Sequence, residues 1–346
     1  MPQWILSKAR DMALTVMQTV KLHCAHDASI RPIVEIARDG LCALHGFLRR
    51  NVHPTGVGLT FAVLFWVVFL IIAPQLFMLD ISIRTNLPRS QVGGPLDVHT
   101  LANYRSFFLE DEGSGRNWNI TQLVTFCRTI ASSIQVMLAA FVISYPVAFY
   151  LAQVASARSV RLMLLLLLLP YWVNEVLRAY AFEIIFSDEG FLNRLFMASG
   201  LVSMPIDFLN RNVALYTGLV YAYLLFMFFP IYSSLQSISR AQIEAARDLG
   251  APWWHIHLFV VFPGARAGIA SGCTLVFMMC AGSLVIPQVL GGTRSLWFTP
   301  IVYDRFFESF DWPQGAAYAT LLVLACTGLV ALARLFFRWS GRRTAE

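Results

Sequence analysis

Residues 56–79 carry no charge at all, and neither do residues 162–173. A run of about 20 apolar residues is long enough to cross the hydrocarbon layer of a bilayer. The whole composition points the same way. Hydrophobic types make up 57% of the 346 residues and charged types 13%, where a soluble domain carries about 25%. So much apolar surface needs lipid as well as a core to cover it. Six spans can be read, at about 56–79, 121–153, 160–186, 213–234, 264–290 and 315–337, with Pro170 interrupting the third. The predicted fold class is all-α, a polytopic membrane protein with six transmembrane helices. Between the spans lie a long polar loop at 80–120, an acidic loop after the third span, and a short polar segment at 239–263.

The opening residues, 1–55, read as an amphipathic tail and not as a cleaved signal, because Lys8, Arg10 and Asp11 interrupt any apolar stretch. Ile5, Ala9, Met12, Val16 and Val20 fall on one helical face, and Ile30, Ile33, Val34, Ala37, Leu41, Leu44 and Leu48 on another. Orientation follows from Lys and Arg. With the tail in the cytoplasm, 16 of the 26 basic residues fall on cytoplasmic segments, among them Arg49, Arg50, Arg158, Arg161 and the C-terminal cluster. Both termini, including the tail at 339–346, and the 239–263 segment are therefore expected inside. The formal charge of +6 then reflects topology, not a nucleic-acid footprint, since no aromatic-interleaved basic face is present. Cys127, Cys273, Cys280 and Cys326 fall inside spans and Cys24 and Cys42 in the tail, so no extracytoplasmic disulfide is expected.

The 239–263 segment is the most informative part of the chain. Ser239 and Gln242 have the spacing of a capping box. A helix should follow through Glu244, Ala245, Ala246 and Leu249, ended by Gly250. Pro252 suits the start of a second helix, and Pro263 should close it and open the fifth span. Trp253, Trp254, Ile256 and Phe259 give that second helix a large apolar face. A helix of about ten residues is marginal alone in water, so it must dock on something.

At these residues the chain resembles the permeases of bacterial ATP-binding-cassette importers. Their cytoplasmic loop carries Glu-Ala-Ala, a glycine after three residues, and Ile-x-Leu-Pro after nine more. Glu244, Ala245, Ala246, Gly250 and Pro263 match at that spacing, while Val260 and Phe262 stand at the Ile and Leu positions. The resemblance covers about 56–337. Three further stretches resemble the spermidine/putrescine type: Leu169-Pro170-Tyr171-Trp172-Val173-Asn174-Glu175 running on to Arg178 and Phe182, Val285-Ile286-Pro287 running on to Gly292, and Asp311-Trp312-Pro313 with Gly315. Iron, thiamine and aminoethylphosphonate permeases share parts of these.

The resemblance implies the type I importer permease architecture, a permease domain at 56–338, and residence in the bacterial inner membrane. It implies that 239–263 is a coupling loop docked in an ATPase subunit. The implied partners are an ATPase dimer, a second permease subunit and a periplasmic substrate-binding protein. ATP and Mg would belong to the ATPase, since no phosphate-binding Gly-rich loop ends in Lys-Ser/Thr here. No catalytic role is expected for this chain.

For the substrate path the candidates are Trp172, Glu175, Ser283 and Pro287. An ionisable residue within a span faces a cavity or a partner. Glu175 could meet a cationic solute, but pairing with Arg178 one turn away is the favoured expectation. Cys280, Gly282 and Ser283 permit close helix packing as readily as a path. Glu183, Asp188 and Glu189 would give the outer mouth a negative potential that concentrates polyamines. A secondary transporter driven by an ion gradient is the rival class. It would show internal repeats, none is apparent, and the 239–263 segment would be left without a role.

Overall fold

The computed structural model describes residues 54–343, apart from 89–90, 92–93, 95–97, 113–114 and 293–296. The amphipathic tail expected before residue 54 lies outside the described residues, as do most of the turn signals at 93–95 and 113–115. The chain divides into two compact units, Met1–Leu76 and Phe77–Glu346.

The described part of the first unit is helical. Helix α1 (Pro54–Val67) passes through one π-helical stretch, Val68–Ile72, into α2 (Ala73–Ser82). Leu59, Phe61, Phe65, Trp66 and Phe69 are all exposed.

In the second unit, the 80–120 loop holds more structure than its polarity suggests. It contains α3 (Ala102–Phe108) and an antiparallel hairpin, β1 (Leu109–Glu112) with β2 (Gly115–Trp118). The start of this loop is tied down by Asn103, whose Nδ2 donates to the carbonyls of Ser82 and Arg84 at 2.9 and 2.8 Å. An Asp80–Arg84 ion pair at 2.8 Å adds to it.

Helix α4 (Ile120–Phe149) is capped by Asn119, whose side chain accepts from the Gln122 N–H at 3.2 Å. Its buried face is small and hydroxylated: Thr125, Thr129, Ser132, Ser133, Val136, Ala140, Ser144 and Ala148. The hydroxyls of Thr129 and Ser133 donate back to carbonyls one turn earlier, so no donor is stranded and the backbones can approach closely. Helix α5 (Ala157–Leu168), a 3-10 turn at Leu169–Trp172, α6 (Glu175–Phe186) and α7 (Phe191–Ala198) follow. Next come α8 (Val213–Gln236), α9 (Arg240–Asp248), α10 (Trp253–Ile256), a π-helical stretch at His257–Val261 and α11 (Phe262–Ala281). The order closes with α12 (Val285–Leu290), α13 (Phe298–Phe307) and α14 (Trp312–Arg343).

Among the described residues five helices are long and apolar enough to cross a membrane, and a bent pair makes the sixth. The all-α, six-span reading therefore stands, and the third span is interrupted at Pro170 as expected, though far more sharply than a kink. The arms Ala157–Trp172 and Glu175–Ala198 meet at 89°. Pro170 has no N–H to continue α5. Asn174 then starts a new helix by accepting from the Val176 N–H at 2.8 Å. The fifth span breaks too, at Gly282–Leu284, inside the stretch of small residues that ends at Pro287.

The core centres on α8, whose Leu215, Leu219, Met227, Phe228, Ile231 and Leu235 are buried against α4 and α11. Gly268 explains the closeness of α11: a Cβ there would strike the Pro230 carbonyl oxygen. A second cluster joins Phe107, Phe126, Phe298 and Tyr318 edge to face. It is locked by the Phe298 N–H donating to Thr129 Oγ1 at 2.9 Å.

Candidate functional site: an exposed loop and a cavity lined by Glu175 and Arg178

The 239–263 segment hangs from the end of α8. Gln153 finishes that helix, its Nε2 donating to the carbonyls of Leu235 at 2.7 Å and Ile238 at 3.2 Å. Ser239 is the N-cap of α9, but by its backbone only: the Gln242 N–H reaches the Ser239 carbonyl at 3.1 Å and no side-chain cap bond forms. The expected capping box is thus not made.

Gly250 sits at φ +78°, in the left-handed region. Its N–H reaches the Arg247 carbonyl at 2.9 Å and the Ala251 N–H reaches Ala246 at 3.1 Å. This pair of bonds closes a helix when the residue after the C-cap is left-handed. Pro252 is the N-cap of the next helix, one place ahead of its expected first position.

That next helix does not stop at Pro263. It runs unbroken from Trp253 to Ala281. The π-helical stretch His257–Val261 lets the Phe262 N–H bond back to His257, so the ladder steps past a proline that has no N–H to give. The second loop helix and the fifth span are therefore one rod. His257 fastens it to α4 through a 3.0 Å hydrogen bond to the Tyr145 hydroxyl and ring contact with Phe149 at 4.4 Å.

Helix α9 divides its residues between two faces. Ile243 is buried and Ala246 half-buried, packed in the main core with Ile256 and Val261. Glu244, Ala245 and Gly250 face outward. Leu249 is 88% exposed and Trp253 73%, with Trp254 and Phe259 also exposed. The two alanines thus do different work: Ala246 lets α9 lie close on the rod, and Ala245 belongs to the open face.

A cavity of about 480 Å3 opens where the bent third span meets α8. Glu175 and Arg178 line it from α6, Tyr171 from the bend, Tyr223, Phe226 and Phe229 from α8, and Met279 from α11. The expected Glu175–Arg178 pair is not formed. The Arg178 guanidinium lies 4.8 Å from the Tyr171 ring centre and 5.8 Å from that of Tyr221. Its Nε and Nη1 are buried and have no hydrogen-bond partner among the described residues. The rings lie nearly parallel, 5.6 Å apart, and the Tyr171 hydroxyl donates to the Tyr221 carbonyl. A cation over two ring faces gains from their quadrupoles, which draws the guanidinium away from the carboxylate. Tyr221 lies on a different span from Arg178, so no local spacing announces this arrangement.

Of the other path candidates, Trp172 is 87% exposed at the bend. Ser283 and Pro287 are buried at the break after α11 and do not line the cavity.

Residues 115–346 match the family described as "Binding-protein-dependent transport system inner membrane component". Among curated relatives, the spermidine/putrescine transport system permease protein PotB of Escherichia coli is 32% identical over 270 residues, covering 77% of this chain and 92% of PotB. PotB of Haemophilus influenzae is 30% identical over 275 residues, covering 79% of this chain and 90% of that protein. A solved bacterial ABC transporter that imports the acidic polysaccharide alginate superposes with a TM-score of 0.59 at 13% identity, over 86% of this chain and 98% of its own. At that identity the likeness speaks to the fold alone. The family match, the relatives at 30% identity or more and the six-span helical fold agree, and the chain belongs to the binding-protein-dependent transport system inner membrane components, the permease subunits of ABC importers.

Proposed function

We propose that this chain forms the path through which a polyamine such as putrescine or spermidine enters the cytoplasm. The relatives that are 30–32% identical are named as spermidine/putrescine permeases. The observation that carries the mechanism is α9: anchored beneath by Ile243 and Ala246, open above at Glu244, Ala245, Leu249 and Gly250.

In this reading the open face docks into an ATPase subunit, and Pro263 sits in the rod that carries the movement. ATP and Mg bind in the ATPase dimer. Closure of that dimer pushes α9, and the continuous Trp253–Ala281 rod takes the push straight into the fifth span. A second permease subunit completes the path and a periplasmic binding protein delivers the solute. Both termini lie in the cytoplasm, as the distribution of basic residues favours. Glu175 and Trp172 border the path at the bend; Ser283 and Pro287 shape the break that lets the fifth span flex. The two access states are populations that ATP and substrate bias.

Gly250→Val puts a β-branched side chain at positive φ, and Glu244→Lys reverses a charge on the docking face. Neither touches the spans, so both variants should insert normally. Each should lower uptake of labelled spermidine roughly tenfold or more, a docking loss of about 1.4 kcal/mol. Co-purification should show less bound ATPase or uncoupled ATP hydrolysis. Normal uptake with full ATPase retention in both variants would remove α9 from this role.

A further inference from the structure

We propose that Tyr171 and Tyr221 form a clamp that parks Arg178 and so keeps Glu175 free as the receptor for a substrate ammonium group in the cavity. The inference rests on the polyamine reading above and adds how the site is set.

A glutamate and an arginine three residues apart on one helix are natural partners. Here both line one cavity of about 480 Å3, yet no ion pair joins them and Glu175 carries no other bond among the described residues. Arg178 instead rests at 4.8 and 5.8 Å from two tyrosine rings. The clamp is itself braced, since the Tyr171 hydroxyl ties the bend to the Tyr221 carbonyl on α8. The guanidinium borders the same open cavity as the carboxylate, which leaves it a route onto Glu175.

Two charge arrangements therefore compete. With Arg178 on the rings, the carboxylate of Glu175 is open to an external cation. With Arg178 on Glu175, the receptor is neutralised. The remaining walls, Tyr223, Phe226, Phe229, Leu275 and Met279, suit an aliphatic chain with aromatic faces for its charged end. The parked guanidinium holds positive charge at one side, so a chain carrying ammonium groups should enter head-first onto Glu175 and never settle deeply. That favours passage over retention. The ligand class is an extended aliphatic amine, and Arg178 with the two tyrosines are positioning residues.

The test uses the full importer in proteoliposomes with saturating binding protein and labelled spermidine. Assembly is checked by co-purification. Tyr221→Leu removes a ring but keeps the backbone carbonyl that Tyr171 needs. It should release Arg178 onto Glu175 and cut maximal uptake about tenfold, whereas Tyr221→Phe keeps the ring and should transport normally. Adding Arg178→Gln to Tyr221→Leu should restore most of the uptake, which a merely structural defect would not allow. Glu175→Gln should cut uptake by itself, and Arg178→Gln should not rescue it; this arm stands even where Tyr221→Leu assembles poorly. Uptake unchanged in Glu175→Gln, or no restoration by Arg178→Gln in an assembled Tyr221→Leu complex, overturns the clamp and leaves the polyamine permease standing. No spermidine uptake by the wild-type importer overturns the substrate reading and the clamp together.

Discussion

Helix α8 and the bent third span are both apolar enough to cross a membrane, and they have opposite fates. More than half of the most apolar stretch of α8 is buried, and its Leu219, Met227 and Ile231 are wholly inaccessible. On the bent span, Leu165, Leu166, Leu169 and Leu177 are each at least 60% exposed. In water such a difference would be a difference in hydrophobicity. In lipid it cannot be, because tails are as apolar as leucine. What separates the two is shape: α8 meets glycines and small hydroxyls on its neighbours, while the bent span presents plain leucines. The buried helix holds the fold together, and the exposed bend is left with freedom to carry a cavity and an unpaired charge.

The sharpest way to break that comparison is Gly268→Leu. Its Cβ would collide with the Pro230 carbonyl, and backbone cannot step aside as a side chain can. We expect destabilisation of about 3 kcal/mol or more, seen as loss of the purified complex and a large fall in thermal midpoint. A normal midpoint would mean that the α8–α11 crossing is looser than described.

A paired truncation comes next. Phe228 is 1% exposed, and Phe228→Ala should cost about 3 kcal/mol through the cavity it leaves. Leu177 is 63% exposed, and Leu177→Ala should stay within about 0.5 kcal/mol. Equal costs in a detergent melting assay of this subunit would erase the distinction between the two regions.

The smallest effect is local. Asn174→Ala removes the 2.8 Å cap bond to the Val176 N–H and should cost about 1 kcal/mol. Amides in the first turn of α6 should exchange faster with solvent deuterium, while those of α8 stay unchanged. Unchanged protection at Val176 and Leu177 would show that the bend is held by something other than its cap.

Much of this was legible in the chain itself. Uncharged runs give spans because a bilayer leaves backbone no other choice than to bond to itself. Glu244, Ala245, Ala246 and Gly250 stand in one short segment, so their spacing along the sequence is also their spacing in space, and the positive φ of Gly250 follows from the helix stop it provides. Pro170 marks the bend for the same local reason. The continuous rod through Pro263 was hidden, because whether a helix absorbs a proline depends on a π-helical stretch and on the packing that holds His257 to Tyr145. The state of Arg178 was hidden more deeply. Its expected partner, Glu175, is a neighbour in sequence, and its actual ones are Tyr171 beyond a bend and Tyr221 on another span. Sequence determined the spans and the local motifs, whose energetics act over a few residues. Only the tertiary structure decided which charge goes unpaired, because that choice is made between side chains brought together from distant segments.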